Sequence, residues 1–130
     1  MNSNCNRLHY QHWWRVGGAV LVLSVIVLSL MPHPPEIPIS AGDKLAHLLT
    51  YITLMFWFAQ VDIQHRQRLR WALAFIAMGI ALEFAQGMTA YRSFDGFDML
   101  ANTVGVLLGW LVAPPRGWPV FRHIESLMCE

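Results

Sequence analysis

Between Val16 and Leu30 the chain has no charged residue, and its apolar run is interrupted only by Gly17, Gly18, Ser24 and Ser29. A helix lying between a protein core and water needs a polar stripe at helical spacing, and this segment has none. Three more apolar segments follow, placing spans at about 13–31, 45–61, 69–88 and 97–113. A crossing helix needs roughly 20 mostly apolar residues, so the second and fourth are short. Only 13% of residues are charged, about half the share usual in soluble domains. The fold class expected is all-α, a polytopic transmembrane bundle of four helices.

The segments between the spans are easily recognised. Prolines at 32, 34, 35 and 38 exclude a continuing helix after the first span, and Pro114 and Pro115 end the fourth. The chain thus divides into an N-terminal tail (1–12), a four-helix domain (13–113) and a C-terminal tail (114–130). Arg7 and Arg15 precede the first apolar run as in a signal peptide, but that run ends in Met-Pro-His-Pro-Pro with no small-x-small cleavage pattern. A retained first helix is expected.

Orientation follows from Lys and Arg, which are retained on the cytoplasmic side. Arg7, Arg15, Arg66, Arg68, Arg70, Arg116 and Arg122 fall on one side of an even number of spans, and Lys44 and Arg92 on the other. Both termini are therefore expected in the cytoplasm. Trp13, Trp14, Trp71 and Trp110 lie near the cytoplasmic ends, as an interfacial belt or as ordinary buried tryptophans.

Several classes are set aside. A net charge of +1 without a basic stripe argues against nucleic acid. Cys5 and Cys129 lie in the tails without CxxC spacing, so they indicate neither a disulfide framework nor a metal site. No serine or cysteine has a nucleophile-elbow context.

On this topology the polar residues gather at the outer end. Asp43, Lys44 and His47 open the second helix, Glu83 and Gln86 close the third, Arg92, Ser93 and Asp95 lie in the third loop, and Asp98 and Asn102 open the fourth. Asp43, His47 and Tyr51 share one helical face, as do Asp98, Asn102, Gly105 and Gly109. Glu83 carries the most information, because an ionised carboxylate facing lipid is costly. It is expected to point inward toward Arg92, Lys44 or His47. Two readings stand: a structural ion pair, or a site for something from the outer leaflet. Asp43 and Asp98 also suit helix caps. One histidine is thin support for a metal, so neither metal nor cofactor is expected. Gly105-Val-Leu-Leu-Gly109 permits close backbone approach, either within the bundle or in a homodimer.

Three blocks carry a family resemblance: Asp43-Lys44-Leu-Ala-His47-Leu-Leu-Thr-Tyr51, Glu83-Phe-Ala-Gln86, and Arg92-Ser-Phe-Asp95-Gly-Phe-Asp98-Met-Leu-Ala-Asn102-Thr-Val-Gly105-Val-Leu-Leu-Gly109. Together they resemble the VanZ-like family of membrane proteins. The resemblance implies a multi-pass protein of the bacterial cytoplasmic (inner) membrane, from a family whose namesake is associated with teicoplanin resistance. It also implies a shared site at Asp43, Lys44, His47, Glu83, Gln86, Arg92, Asp98 and Asn102, with no established catalytic role. Bulky Met55-Phe56-Trp57 stands where smaller residues are expected of relatives.

Three functions are weighed. The first is a cell-envelope protein whose outward pocket binds a polar headgroup, a lipid-linked ligand or a glycopeptide, with Arg92 and Lys44 on the anion. In the second, Glu83 or His47 is the general base of an enzyme cleaving a lipid phosphoester or glycosidic linkage, with Asp43 orienting His47. A small proton-coupled transporter ranks last, since such proteins need an ionisable group near mid-membrane.

Overall fold

A computed structural model of the chain describes residues 8–129. It contains five helices, α1 (Gln11–Leu30), α2 (Gly42–Val61), α3 (His65–Gly87), α4 (Gly96–Val112) and α5 (Val120–Met128), and no strand among the described residues. By length and composition α1 and α3 are apolar enough to cross a membrane. α2 is as long as α1 but opens on Asp43 and Lys44, and α4 has 17 residues.

An apolar core around Leu54, Met55, Phe58 and Phe75 is enclosed by helices whose outer faces are also apolar. Leu23, Val27, Leu73, Phe84, Leu100, Leu107 and Leu111 face outward, while Glu83, Gln86, Asp98 and Asn102 are buried. α1 buries only Gly18 and Val25. An apolar exterior around polar side chains is the arrangement expected of a protein dissolved in lipid.

α2 is the central helix, packed against each of the other four and most extensively against α4. Glycine makes that contact possible. A Cβ on Gly105 would lie 2.6 Å from the Leu48 carbonyl oxygen, and one on Gly109 would lie 2.6 Å from that of Ile52. The glycine face is therefore filled by α2 of the same chain. Met55 and Trp57 also pack into glycine space, at Gly109 and at Gly17 and Gly18 respectively.

Three features differ from the sequence expectation. α3 begins at His65 rather than near 69, so Arg66, Arg68 and Arg70 are helical. Arginine and glutamine are good helix formers, and Gln64 has the extended backbone that starts the helix. The C-terminal tail contains α5, whose Phe121 and Glu125, one turn apart, are buried. Cys129 is exposed at its C-cap, while Cys5 and Arg7 lie outside the described residues.

Polar groups are also not confined to one end. At the other end Arg68 is buried and donates to the carbonyl oxygens of Ala59 (2.6 Å), Asp62 (2.9 Å) and Pro114. These carbonyls lie at the C-terminal ends of α2 and α4, where the helical ladder leaves acceptors unpaired. Asp62 accepts from Arg15 and the Trp71 indole, and Glu125 accepts from the His9 and Tyr10 amides and from Trp14 Nε1. Trp14 stacks on Phe121 at 4.0 Å between centroids. Of the four tryptophans assigned to a belt, Trp14 and Trp71 are thus tied into the protein, whereas Trp13 is exposed.

Candidate functional site

The start of α2, the last turns of α3 and the first turns of α4 meet at one end. α4 is positioned by Asp95, its N-cap, whose carboxylate accepts from the Phe97 amide at 2.8 Å. Asp98, one turn along, is then free to turn inward and is 6% exposed. The cap belongs to Asp95, and neither Asp43 nor Asp98 supplies it.

Five of the eight expected residues form one network. His47 Nδ1 lies 2.9 Å from Asn102 Oδ1. A carbonyl oxygen only accepts, so Nδ1 carries the proton. His47 Nε2 faces Asp98 Oδ2 at 3.6 Å. Lys44 Nζ reaches Asp95 Oδ2 at 2.9 Å and stands 3.5 Å from Asp98 Oδ1. Asn102 has room because Gly79 lacks a side chain, as a Cβ there would lie 3.0 Å from its Nδ2.

Glu83, at 1% exposure, is the deepest member. Its Oε1 accepts from the Asp95 amide at 2.7 Å, and among the described residues it has no salt bridge. The expected inward turn is there, but the pairing with Arg92 is not. Backbone supplies the donor because the loop before α4 passes directly over the end of α3. Glu83 Oε2 and Asp98 Oδ1 are buried without a hydrogen-bond partner among the described residues. One ligand atom each from His47, Glu83 and Asp98 lie within 4.8 Å of one another, close enough for a single atom to approach all three within about 3 Å.

The other three residues line an adjacent pocket of about 170 Å³, bordered by Asp43, His47, Thr50, Tyr51, Gln86 and Arg92. Gln86 donates to the Ser29 carbonyl at 2.8 Å, which closes the wall against α1. Asp43 is exposed and does not orient His47, since its side chain points to the pocket and Asn102 holds the ring. Arg92 makes no ion pair or side-chain hydrogen bond among the described residues. His47 belongs to both pocket and network.

Asp95 and Tyr51 are the participants that sequence spacing undervalued. Asp95 is outside the spans, and there its hydrogen bonds to Lys44 and the Phe97 amide hold its carboxyl below the usual carboxylate range. Its signal was the Asp95-Gly-Phe-Asp98 spacing, which is that of an N-cap followed by a first-turn acid.

The VanZ/LLP1 family model matches residues 4–121. An uncharacterized protein of Schizosaccharomyces pombe is 28% identical over 97 residues, covering 72% of this chain and 60% of that protein. The chain thus spans about three fifths of the length of this curated relative. No solved structure matches.

Proposed function

This chain belongs to the VanZ/LLP1 family, and from that premise we propose that it is a four-span protein of the bacterial inner membrane whose outward pocket holds the anionic headgroup of a membrane lipid or lipid-linked ligand. The observation carrying this reading is Arg92, a guanidinium lining the pocket beside His47 and Gln86 whose donors bond no side chain or carboxylate among the described residues. Guanidinium donors match the oxygens of phosphate or carboxylate. Four spans with both termini inside follow from the distribution of Lys and Arg.

Size narrows the ligand. Pockets for drug-sized molecules run from about 300 Å³ upward, and this one holds about 170 Å³. That favours a small headgroup over a whole glycopeptide, so any part in teicoplanin-type resistance would act through the envelope lipid. The match to a fission-yeast protein also favours a ligand common to many membranes.

Cleavage of a lipid phosphoester is the second reading, favoured by the convergence of His47, Glu83 and Asp98. Native mass spectrometry of the purified protein tests the first reading. Wild type is expected to carry an anionic lipid that Arg92→Gln has lost, and equal lipid in both would refute it.

A further inference from the structure

We propose that His47, Glu83 and Asp98 form a binding site for one divalent cation of the Mn²⁺ or Zn²⁺ class. The argument starts from lone pairs. With Nδ1 committed to Asn102, Nε2 of His47 is left facing a carboxylate oxygen 3.6 Å away. A positive centre, either a proton on Nε2 or a cation beside it, satisfies both atoms. Glu83 Oε2 and Asp98 Oδ1 add two buried oxygens with no hydrogen-bond partner among the described residues, Lys44 Nζ standing 3.5 Å from the second. Each belongs to a side chain more than nine-tenths buried, where a missing partner costs about 1–3 kcal/mol and more for a charged group.

Charge points the same way. Glu83, Asp95 and Asp98 are three acidic groups with one ammonium, Lys44, which bonds Asp95 at 2.9 Å and stands farther from Asp98, at 3.5 Å. Glu83 and Asp98 are the two acidic groups left to face a divalent ion, whose charge would hold both ionised. One imidazole nitrogen with two carboxylates suits Zn²⁺ or Mn²⁺ better than the all-oxygen sets of Ca²⁺ and Mg²⁺. The surroundings suit ligation too. Asn102 fixes the histidine tautomer, and the Asp95 amide fixes one oxygen of Glu83, as outer partners do around metal ligands. Bonds of about 2.1 Å separate ligands by roughly 3–3.5 Å, so the trio, now within 4.8 Å, closes by about an ångström on loading.

The site stands on this cluster alone and does not rest on the headgroup reading. The full-length protein, purified in detergent and stripped with chelator, is titrated with Mn²⁺ and with Zn²⁺ by calorimetry. One ion per chain is expected for at least one metal, with affinity reduced tenfold or more in Glu83→Gln and in Asp98→Asn. Asn102→Ala is expected to lose 10- to 100-fold. Failure of both metals to saturate at one per chain in folded wild type, or wild-type affinity in Asp98→Asn, overturns the proposal. Should the carboxamide variants fail to fold, pulsed electron paramagnetic resonance of the Mn²⁺-loaded wild type decides. A nitrogen coupling from His47 is expected, and tightly bound Mn²⁺ without one overturns the assignment. Arg92→Gln that keeps both its lipid and its cation would sink the headgroup reading and leave this one standing.

Discussion

Asn102 holds His47 from α4 at 2.9 Å, so a residue 55 positions away in sequence decides which imidazole nitrogen faces Asp98. Removing it is expected to leave a half-buried N–H unpaired, which costs about 1 kcal/mol. Asn102→Ala should therefore melt at lower temperature in detergent than wild type. Asn102→Asp, which keeps an acceptor, should melt closer to it. Equal melting of Asn102→Ala and wild type would show that the contact does not form.

Gly109 faces the Ile52 carbonyl inside the chain. Gly109→Leu is expected to force α2 and α4 apart and destabilise by roughly 1–3 kcal/mol, with no change in oligomeric state. Thermal melting and light scattering on the same sample check this. If the glycines instead join two copies, the variant would turn dimer into monomer with its fold intact.

Arg68 and Arg92 should separate cleanly in stability. Arg68→Met strands carbonyl groups of Ala59, Asp62 and Pro114. A loss of roughly 1.5–3 kcal/mol is expected for hydrogen bonds made by a charged group. Arg92→Met, which breaks no bond among the described residues, should melt like wild type. Similar losses in both would remove the distinction between structural arginine and ligand arginine.

Asp95 gives a pH signature. Lys44 first, then the Phe97 amide, lower its folded pKa from the ordinary 3.8. Neither partner is held beside it in the unfolded chain, so the folded carboxyl is the stronger acid. Its contribution is present above the unfolded value and is lost as pH falls through the lower folded value. The melting difference between wild type and Asp95→Asn should therefore be steady near neutrality and shrink below about pH 4. A difference that grows with acid would contradict the pairing.

Much of this was legible in the sequence. The proline-rich segment and Pro114 mark the ends of α1 and α4 within a residue or two, because proline removes a donor and blocks helix continuation. Glu83 could be expected to turn inward, since a lipid-facing carboxylate is costly. Its partner could not: a carboxylate accepts equally from a guanidinium or an amide, and only the path of the loop over α3 brings the Asp95 amide there. Arg68 read as a topology marker, yet its stem buries the guanidinium against helix-end carbonyls. α5 was missed because nine residues are too few to read as a span, and its buried face, Phe121 and Glu125, needs α1 and α2 to exist.

The sequence by itself determined that helices would form, where four of them end, and that α1 and α3 are apolar enough to cross a membrane, because these depend on local hydrogen bonding and transfer energy. Tertiary structure alone decided which polar group meets which. Those pairings join residues dozens of positions apart and turn on one or two ångströms of helix approach, set here by Gly79, Gly105 and Gly109 against α2 and Asn102.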